Sequence, residues 1–118
     1  MEVDTLKQRF PKIITDLPEA DTQFNGVRGW IAQGKNHQIV FFEMEPFAEV
    51  PEHSHSYTQW GIVVEGRMEL TIGDETKIYE KGDDYIISAH VKHSAKFLTA
   101  CRVIDFFGEK MRYKPRVR

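Results

Sequence analysis

The stretch PEHSHSYTQWGIVVEG, residues 51–66, places two histidines and a glutamine at a spacing that could bind a metal ion. His53 and His55 are two residues apart, and Gln59 follows four residues later. If all three lie on one β-strand, they point to the same face, because alternate side chains of a strand share a face. Imidazole nitrogens and amide oxygens are ligands of divalent transition metals. The segment therefore predicts one side of a metal site.

A further donor must come from elsewhere, and His93 is the best candidate. It begins the segment HSAKFL directly after a turn, on a strand that a barrel could place opposite the first group. Three histidines and one amide oxygen leave positions open for water or substrate, which is typical of catalytic rather than structural metal sites. The alternative is that these histidines are polar residues at the rim of a loop-to-strand junction.

Further side chains could act on a substrate near such a metal. Tyr57 shares the parity of Gln59, so its hydroxyl could serve as a general acid or an orienting donor, or its ring could cap the mouth of a barrel. Arg28 and Arg67 could hold a substrate carboxylate, although surface ion pairs are the alternative for both. His90 lies three residues before His93 and could line the rim or relay protons.

Other residues of the same strands favour structural roles. Trp60 has the opposite parity to Gln59 and is expected between the sheets or at an interface. Asp105 and Glu43 lie in otherwise apolar segments, and we assign them to the solvent face of a strand. The single cysteine, Cys101, excludes an internal disulfide and lies in the apolar run ACRVIDFF, which favours a buried, inert thiol.

The elements that must position these residues are short strands separated by glycine, proline or charged turns. After residue 25 no segment has sustained helical periodicity, so we predict an all-β domain of about eight strands, a sandwich, barrel or jelly roll. The predicted organisation is a lead-in at residues 1–25 with a helical hint at DTLKQRF, a β-barrel at 26–113 and a basic tail at 114–118. The predicted strands are VRGWIAQ, HQIVFFEME, YTQWGIVVEG, RMELTIG, TKIYE, YIIS, HSAKFL and CRVIDFF.

Composition limits the function classes. The chain has 118 residues with 16 Lys and Arg against 18 Asp and Glu, so its balanced charge gives no reason to expect nucleic-acid binding. The basic tail is expected to be a solvated terminus. The N-terminus lacks a signal-peptide apolar core, and no stretch approaches the apolar length of a membrane helix, so we expect a cytoplasmic protein without membrane contact.

The two histidine segments together resemble the motifs of the cupin superfamily, small β-barrels of the jelly-roll type. The frame of the first motif is present in His53, His55, Gln59 and Gly66, and that of the second runs from Gly82 to Phe97 with His93 in the histidine slot. Four loop and packing positions depart from the motifs, where glycine, proline, glycine and asparagine are replaced by Phe47, Ser88, His90 and Phe97. Gln59 replaces a glutamate and so removes a negative charge from the ligand set.

The resemblance implies a double-stranded β-helix that binds one divalent metal through His53, His55, Gln59 and His93, with iron, manganese, nickel, zinc and copper all suitable. It also implies a small-molecule substrate and a homodimer formed by sheet extension, with the N-terminal segment as an exchanging strand.

Neutral ligands leave the metal its double charge, which favours Lewis-acid chemistry such as isomerisation, ring opening or lyase reactions on an oxygenated organic acid or sugar. Some cupins with a His-His-Gln-His set open unsaturated uronate sugars to linear keto forms. An oxygen-dependent dioxygenase and a non-catalytic module that binds a small ligand are the alternatives.

Overall fold

The computed structural model describes residues 6–117, and its regular structure is almost entirely β-strand. One short helix, α1, precedes nine strands. These elements are α1 Lys12–Thr15, β1 Val27–Gln33, β2 Gln38–Met44, β3 Glu49–His53, β4 Gln59–Glu65, β5 Met68–Ile72, β6 Glu75–Tyr79, β7 Asp84–Ile87, β8 His93–Phe97 and β9 Cys101–Phe107. Within residues 6–117, no helix has the length and apolar character needed to cross a membrane.

The strands form two antiparallel sheets that face each other. One sheet has the order β1-β2-β9-β4-β7 and the other the order β3-β8-β5-β6. Chain neighbours such as β3 and β4 therefore lie in different sheets, which is the crossing pattern of a jelly roll. The predicted all-β jelly-roll fold is confirmed.

The core lies between the sheets and is formed by the inward-facing side chains of the strands. In β9, Cys101, Val103 and Phe107 point inward and are buried, and in β2 the inward side chains of Val40 and Phe42 meet them. These strands pair in register over seven residues, so apolar side chains of neighbouring strands lie next to one another. The result is a continuous apolar interior, and any functional side chains inside the barrel must project from the strands that surround it.

The N-terminal segment is more structured than the lead-in expected from the sequence. The helix lies at Lys12–Thr15 rather than at DTLKQRF, the start of which falls outside the described residues. The Ala20 N–H donates to Gly29 O at 2.8 Å, so the segment extends the sheet beyond β1. The basic tail joins it, since the Arg116 N–H donates to Glu19 O at 2.7 Å.

Two residues that replace glycines of the cupin motifs have a backbone conformation typical of glycine. Phe47 has φ 68° and His90 has φ 71°, the left-handed region that L side chains rarely adopt. Both stand where the motifs have glycine. The turns thus retain the conformation that glycine would give them, at a cost of about 1 kcal/mol each.

Candidate metal centre

The four predicted ligands come from three strands and one connection, whereas His53, His55 and Gln59 were expected on a single strand. His53 ends β3, Gln59 begins β4 in the opposite sheet, and His55 lies in the connection between them. The expectation of a single strand face was therefore wrong, because the chain turns from one sheet to the other at residues 54–58. His93 begins β8 and is the register partner of His53, so pairing of β3 with β8 sets these two side by side.

The three imidazoles converge. One ring nitrogen from each of His53, His55 and His93 lies within 4.8 Å of the other two. The ring centroids are 4.2 Å apart for His53 and His93, and 4.8 Å apart for His55 and His93. Three imidazole nitrogens grouped in this way could hold one metal ion.

Backbone carbonyls set the same tautomer on each ring. Nδ1 lies 2.9 Å from Pro51 O in His53, 2.9 Å from Tyr57 O in His55, and 2.9 Å from Val91 O in His93. Because a carbonyl oxygen only accepts, each Nδ1 carries the proton and each Nε2 keeps a free lone pair. Orientation of this kind by a backbone carbonyl is the usual second contact of a metal-binding histidine.

Two observations test whether a metal fits. His93 Nε2 is buried and has no hydrogen-bond partner among residues 6–117. His55 Nε2 lies 3.0 Å from Gln59 Oε1, although with this tautomer both atoms are acceptors. A cation shared by these atoms would satisfy both the orphaned nitrogen and the facing acceptors. The residues therefore fit a divalent metal held by His53, His55, His93 and Gln59.

The local environment favours the neutral form of His53 and His93. His93 is 4% exposed, and burial lowers its pKa from 6.5 to about 4, with further lowering from His53, His55 and the charge of Arg112. Burial also lowers the pKa of His53. Near neutral pH these nitrogens are unprotonated, which is the form that a metal requires.

A cavity of about 60 Å³ opens from this cluster into the barrel. That volume exceeds what one water molecule needs. Apolar side chains such as Phe42, Leu70 and Ile87 form most of its wall. The polar groups that face it are His53, Gln59, Tyr85, His93, Ser94, Asp105, Arg112 and Tyr113.

Asp105 is the acidic group of this cavity. It is 6% exposed, and the Tyr85 hydroxyl donates to its Oδ1 at 2.5 Å. Burial raises the pKa of Asp105 from 3.8 to about 7, against the lowering effects of the hydrogen bonds from Tyr85 and Gln59 and the charge of Arg112. Gly61 leaves room for the pair, since a Cβ atom there would collide with Asp105 and with the Tyr85 hydroxyl.

The assignment of Asp105 and Glu43 to the solvent face was wrong, for two different reasons. Asp105 shares the parity of Val103 and Phe107 and points inward. Glu43 points outward but is 5% exposed, because the N-terminal segment covers it with an ion pair from Arg9 and the Phe10 N–H.

Sequence analysis also missed Arg112, which lies at the cavity five residues after β9. Its Nε is buried and has no hydrogen-bond partner within the described chain. Its guanidinium carbon lies 4.3 Å from the Tyr113 ring centroid and 5.6 Å from that of Phe107. The sequence offered one signal for Arg112, which is its position shortly after β9. That strand ends at Phe107, which lines the cavity, so the residues that follow it start close to the cavity.

The other predicted residues lie around this centre or away from it. Tyr57 stacks on His55 with ring centroids 4.2 Å apart, in the connection rather than on β4. His90 is exposed and donates its backbone N–H to His55 O at 2.7 Å. Arg28 and Arg67 do not line the cavity and form surface ion pairs with Glu19 and Glu80.

Comparisons with known proteins agree with this fold. The cupin domain family matches residues 40–107. The protein "H2HPP isomerase" of Bacillus subtilis is 32% identical over 81 residues, which are 68% of this chain and 34% of that protein. The chain thus spans about a third of the length of this curated relative.

Solved structures superpose over nearly the whole chain. An RmlC-like cupin of Shewanella frigidimarina has a TM-score of 0.75 and 23% identity, covering 92% of this chain and 94% of its own. KdgF of Halomonas sp. has a TM-score of 0.74 and 25% identity, covering 89% of this chain and 96% of its own. With both histidine motifs in place around one barrel, the chain belongs to the cupin superfamily.

Proposed function

We propose that this protein is a metal-dependent enzyme that isomerises or ring-opens a small oxygenated organic acid or sugar acid. The observation that carries the proposal is the cluster of three histidine nitrogens with the Gln59 amide oxygen 3.0 Å from His55 Nε2. That cluster lies at a cavity that also holds a carboxyl group and a guanidinium. Binding, proton transfer and anion recognition are thus all available within one small space.

His53, His55 and His93 would hold the metal through Nε2, and Gln59 through Oε1. When bound, a divalent ion supplies Lewis acidity to a substrate oxygen, and its charge is not reduced by any anionic ligand in this set. Iron, manganese, nickel, zinc and copper all suit imidazole and amide donors.

Asp105 is the group that moves a proton. Tyr85 donates to one carboxyl oxygen, and the Gln59 amide also binds Asp105, so the carboxyl group is fixed in direction toward the cavity. In an isomerisation it takes a proton from one substrate atom and returns it to another. In a ring opening it moves the proton between the ring oxygen and the hydroxyl of the anomeric carbon.

Arg112 is the group that binds the acid function of the substrate. A buried guanidinium nitrogen without a protein partner is costly unless a ligand satisfies it, and a carboxylate accepts from two guanidinium nitrogens at once. The apolar cavity wall strengthens that interaction by excluding water. Arg28 and Arg67 are less suited, because both are paired outside the cavity.

The relatives support this reaction class. The matched part of the Bacillus subtilis protein belongs to an isomerase by its name, and the likeness to KdgF extends over most of both chains. The resemblance to cupins that open unsaturated uronates gives the first substrates to test. Likeness to salicylate 1,2-dioxygenase of Pseudoaminobacter salicylatoxidans, at 17% identity, concerns the fold alone.

Turnover by metal-reconstituted protein tests the proposal. Unsaturated uronates and 2-keto acids are the probes, conversion is followed by NMR, and oxygen uptake is recorded in parallel. We expect conversion without oxygen uptake, abolished by chelation and by Asp105→Asn. We expect Arg112→Gln to raise KM for the acids at least tenfold, whereas Arg67→Gln, a change to a surface arginine, leaves KM unaltered.

The same measurements separate the alternatives. Oxygen uptake that depends on substrate would replace the proposal with a dioxygenase. Binding of these acids without conversion by the metal-loaded protein would replace it with a ligand-binding module.

We further propose that the active form is a homodimer. The resemblance to small cupins supports it, and sedimentation of the full chain over a range of concentrations tests it.

A further inference from the structure

The side-chain amide of Gln59 lies between two groups that make different demands on it. On one side its Oε1 lies 3.0 Å from Nε2 of His55. On the other side the amide hydrogen-bonds the carboxyl group of Asp105. Gln59 is 8% exposed and Asp105 is 6% exposed, so neither can turn to solvent for another partner. One orientation of the amide must therefore serve both contacts.

An amide has two orientations, related by a half-turn that exchanges its oxygen and its NH2 group. In the first, here called the ligand orientation, Oε1 faces His55 and Nε2 donates to Asp105. In the second, here called the blocking orientation, Nε2 donates to His55 Nε2 and Oε1 faces Asp105. Only the ligand orientation leaves lone pairs of both His55 and Gln59 free for a metal.

His55 by itself favours the blocking orientation. Its Nδ1 donates to Tyr57 O at 2.9 Å, so its Nε2 is an acceptor, and a facing Oε1 brings two acceptors together. The ligand orientation therefore needs a preference from the other side of the amide. Asp105 supplies it, because an ionised carboxylate accepts hydrogen bonds and cannot donate one.

The position of Asp105 is itself fixed by the strands. Gly61 of β4 is the register partner of Asp105 in β9 and of Tyr85 in β7, so these two side chains approach each other across it. The Tyr85 hydroxyl donates to Asp105 Oδ1 at 2.5 Å. A Cβ atom at residue 61 would collide with both groups, so glycine is required for this contact.

We propose that Asp105, held by Tyr85, is a positioning residue that fixes the Gln59 amide with its oxygen toward the three histidines. Gln59 then acts as a metal ligand and does not block His55. The inference rests on the metal centre of the proposed function, and it does not depend on the reaction.

The same contact explains why a glutamine replaces the glutamate of the cupin motif. A carboxylate at position 59 would have no proton to donate, so it would face the carboxylate of Asp105. Two carboxylates in contact repel each other, and burial strengthens the repulsion. The residue types at positions 59 and 105 are therefore coupled, because an acid at one position requires an amide at the other.

Zinc binding to exchanged variants tests this coupling. Wild type, Asp105→Asn, Gln59→Glu and the double variant are titrated with zinc alone, against a competing chelator, by calorimetry at mildly alkaline pH. In the wild-type background we expect Asp105→Asn to lower the zinc affinity about tenfold, because the new amide can donate to Gln59 Oε1 and stabilise the blocking orientation. In the Gln59→Glu background the same change should raise the zinc affinity about tenfold, because it removes the repulsion.

Glu43→Gln is the matched control. Glu43 is also a buried carboxylate, at 5% exposed, but its partners are Arg9 and the Phe10 N–H on the outer side of the sheet. Its conversion to an amide should leave the zinc affinity unchanged in both backgrounds. Circular dichroism of every variant checks that the fold is retained.

A second measurement needs no variant. In the chelated wild type, NMR should detect no scalar coupling between Gln59 Nε2 and His55 Nε2, because no hydrogen bond joins them in the ligand orientation. A coupling between these two nitrogens would show the blocking orientation and overturn the proposal.

Three calorimetric results would also overturn it. They are an effect of Asp105→Asn with the same sign in both backgrounds, no effect in either background, and a wild type that does not bind zinc. Failure of the proposed reaction has a different signature. The expected reversal of sign without conversion of any acid would refute the reaction alone, whereas conversion without the reversal would refute only the positioning role.

Discussion

Three backbone carbonyls decide the chemistry of the candidate site. Each histidine donates Nδ1–H to a carbonyl two residues away in sequence, so its Nε2 is left as the free ligand atom. The spacing of two is a property of the local chain. The tautomer of each ligand is therefore set by a short-range hydrogen bond rather than by the strand pairing.

Tyr57 can be separated into the contributions of its ring and its hydroxyl. Tyr57→Phe keeps the ring on His55, and Tyr57→Ala removes it. If Tyr57 positions His55, we expect metal affinity measured by calorimetry to fall on the order of tenfold for Tyr57→Ala and to stay unchanged for Tyr57→Phe. A loss of turnover in Tyr57→Phe at full metal content would instead make the hydroxyl a participant in the reaction.

Asp105 should give the metal-free protein a distinct pH dependence. Its pKa is raised from 3.8 to about 7 on folding, so between these values the folded state holds a proton that the unfolded state has released. The stabilisation is present below the unfolded value and is lost as the pH rises through 7.

Urea unfolding of chelated wild type and Asp105→Asn between pH 4 and 8 measures this effect. Each unit of pKa difference between the folded and unfolded states corresponds to about 1.4 kcal/mol. The free energy of unfolding of the wild type relative to the variant should therefore fall by a few kcal/mol as the pH rises over this range. A difference that is constant with pH would show that Asp105 titrates normally.

At the scale of elements, two of the turns that connect the strands contain a glycine with a left-handed backbone conformation. Gly66 has φ +93° between β4 and β5, and a Cβ atom there would collide with Ala100 O. Gly82 has φ +91° before β7, with no atom within 4 Å of such a Cβ. An alanine would therefore have similar backbone strain at Gly66 and Gly82, but only at Gly66 would its Cβ atom collide with neighbouring atoms.

Alanine at these two positions separates strain from collision. We expect Gly82→Ala to lower the free energy of unfolding by about 1 kcal/mol. Gly66→Ala should cost about 3 kcal/mol or more, since backbone atoms must move as well. Denaturant melts of both variants measure the difference, and equal losses would mean that the turn at Gly66 has room to adjust.

The sequence predicted strands well where one face is buried and the residue types favour β-structure. VRGWIAQ and CRVIDFF coincide with β1 and β9 in every residue. Glu49–His53 was not predicted as a strand, because it is polar and contains Pro51, and the structure has irregular register there. An edge strand of this kind is specified by its partner, here β8, rather than by its own sequence.

The site could be predicted only in part, because only some of its residues belong to a recognisable sequence pattern. Motif spacing identified the three histidines of the cluster, whose convergence needs only the jelly-roll crossing. Asp105 and Arg112 could not be assigned, because the apolar run of β9 has no polar face to give its direction, and Arg112 follows the last strand. Their positions depend on tertiary packing that no local pattern records.

At the scale of the whole molecule, metal binding should stabilise the fold, since the ligands come from both sheets. A ligand that binds only the folded state adds about 2.7 kcal/mol when present at a hundred times its Kd. We expect the thermal midpoint to fall on chelation and to recover on addition of metal. In His93→Ala neither change should occur, and an equal response in that variant would place the stabilising ion elsewhere.

The most direct test is the metal content of the purified protein by elemental analysis, compared with His93→Ala and with His90→Gly. We expect about one divalent transition metal ion per chain in the wild type and in His90→Gly, which keeps the N–H that holds His55 and suits the positive φ of that position. We expect a large loss of metal in His93→Ala. A wild type that neither carries nor takes up a metal ion, or a His93→Ala variant that retains it in full, would contradict the proposed metal centre.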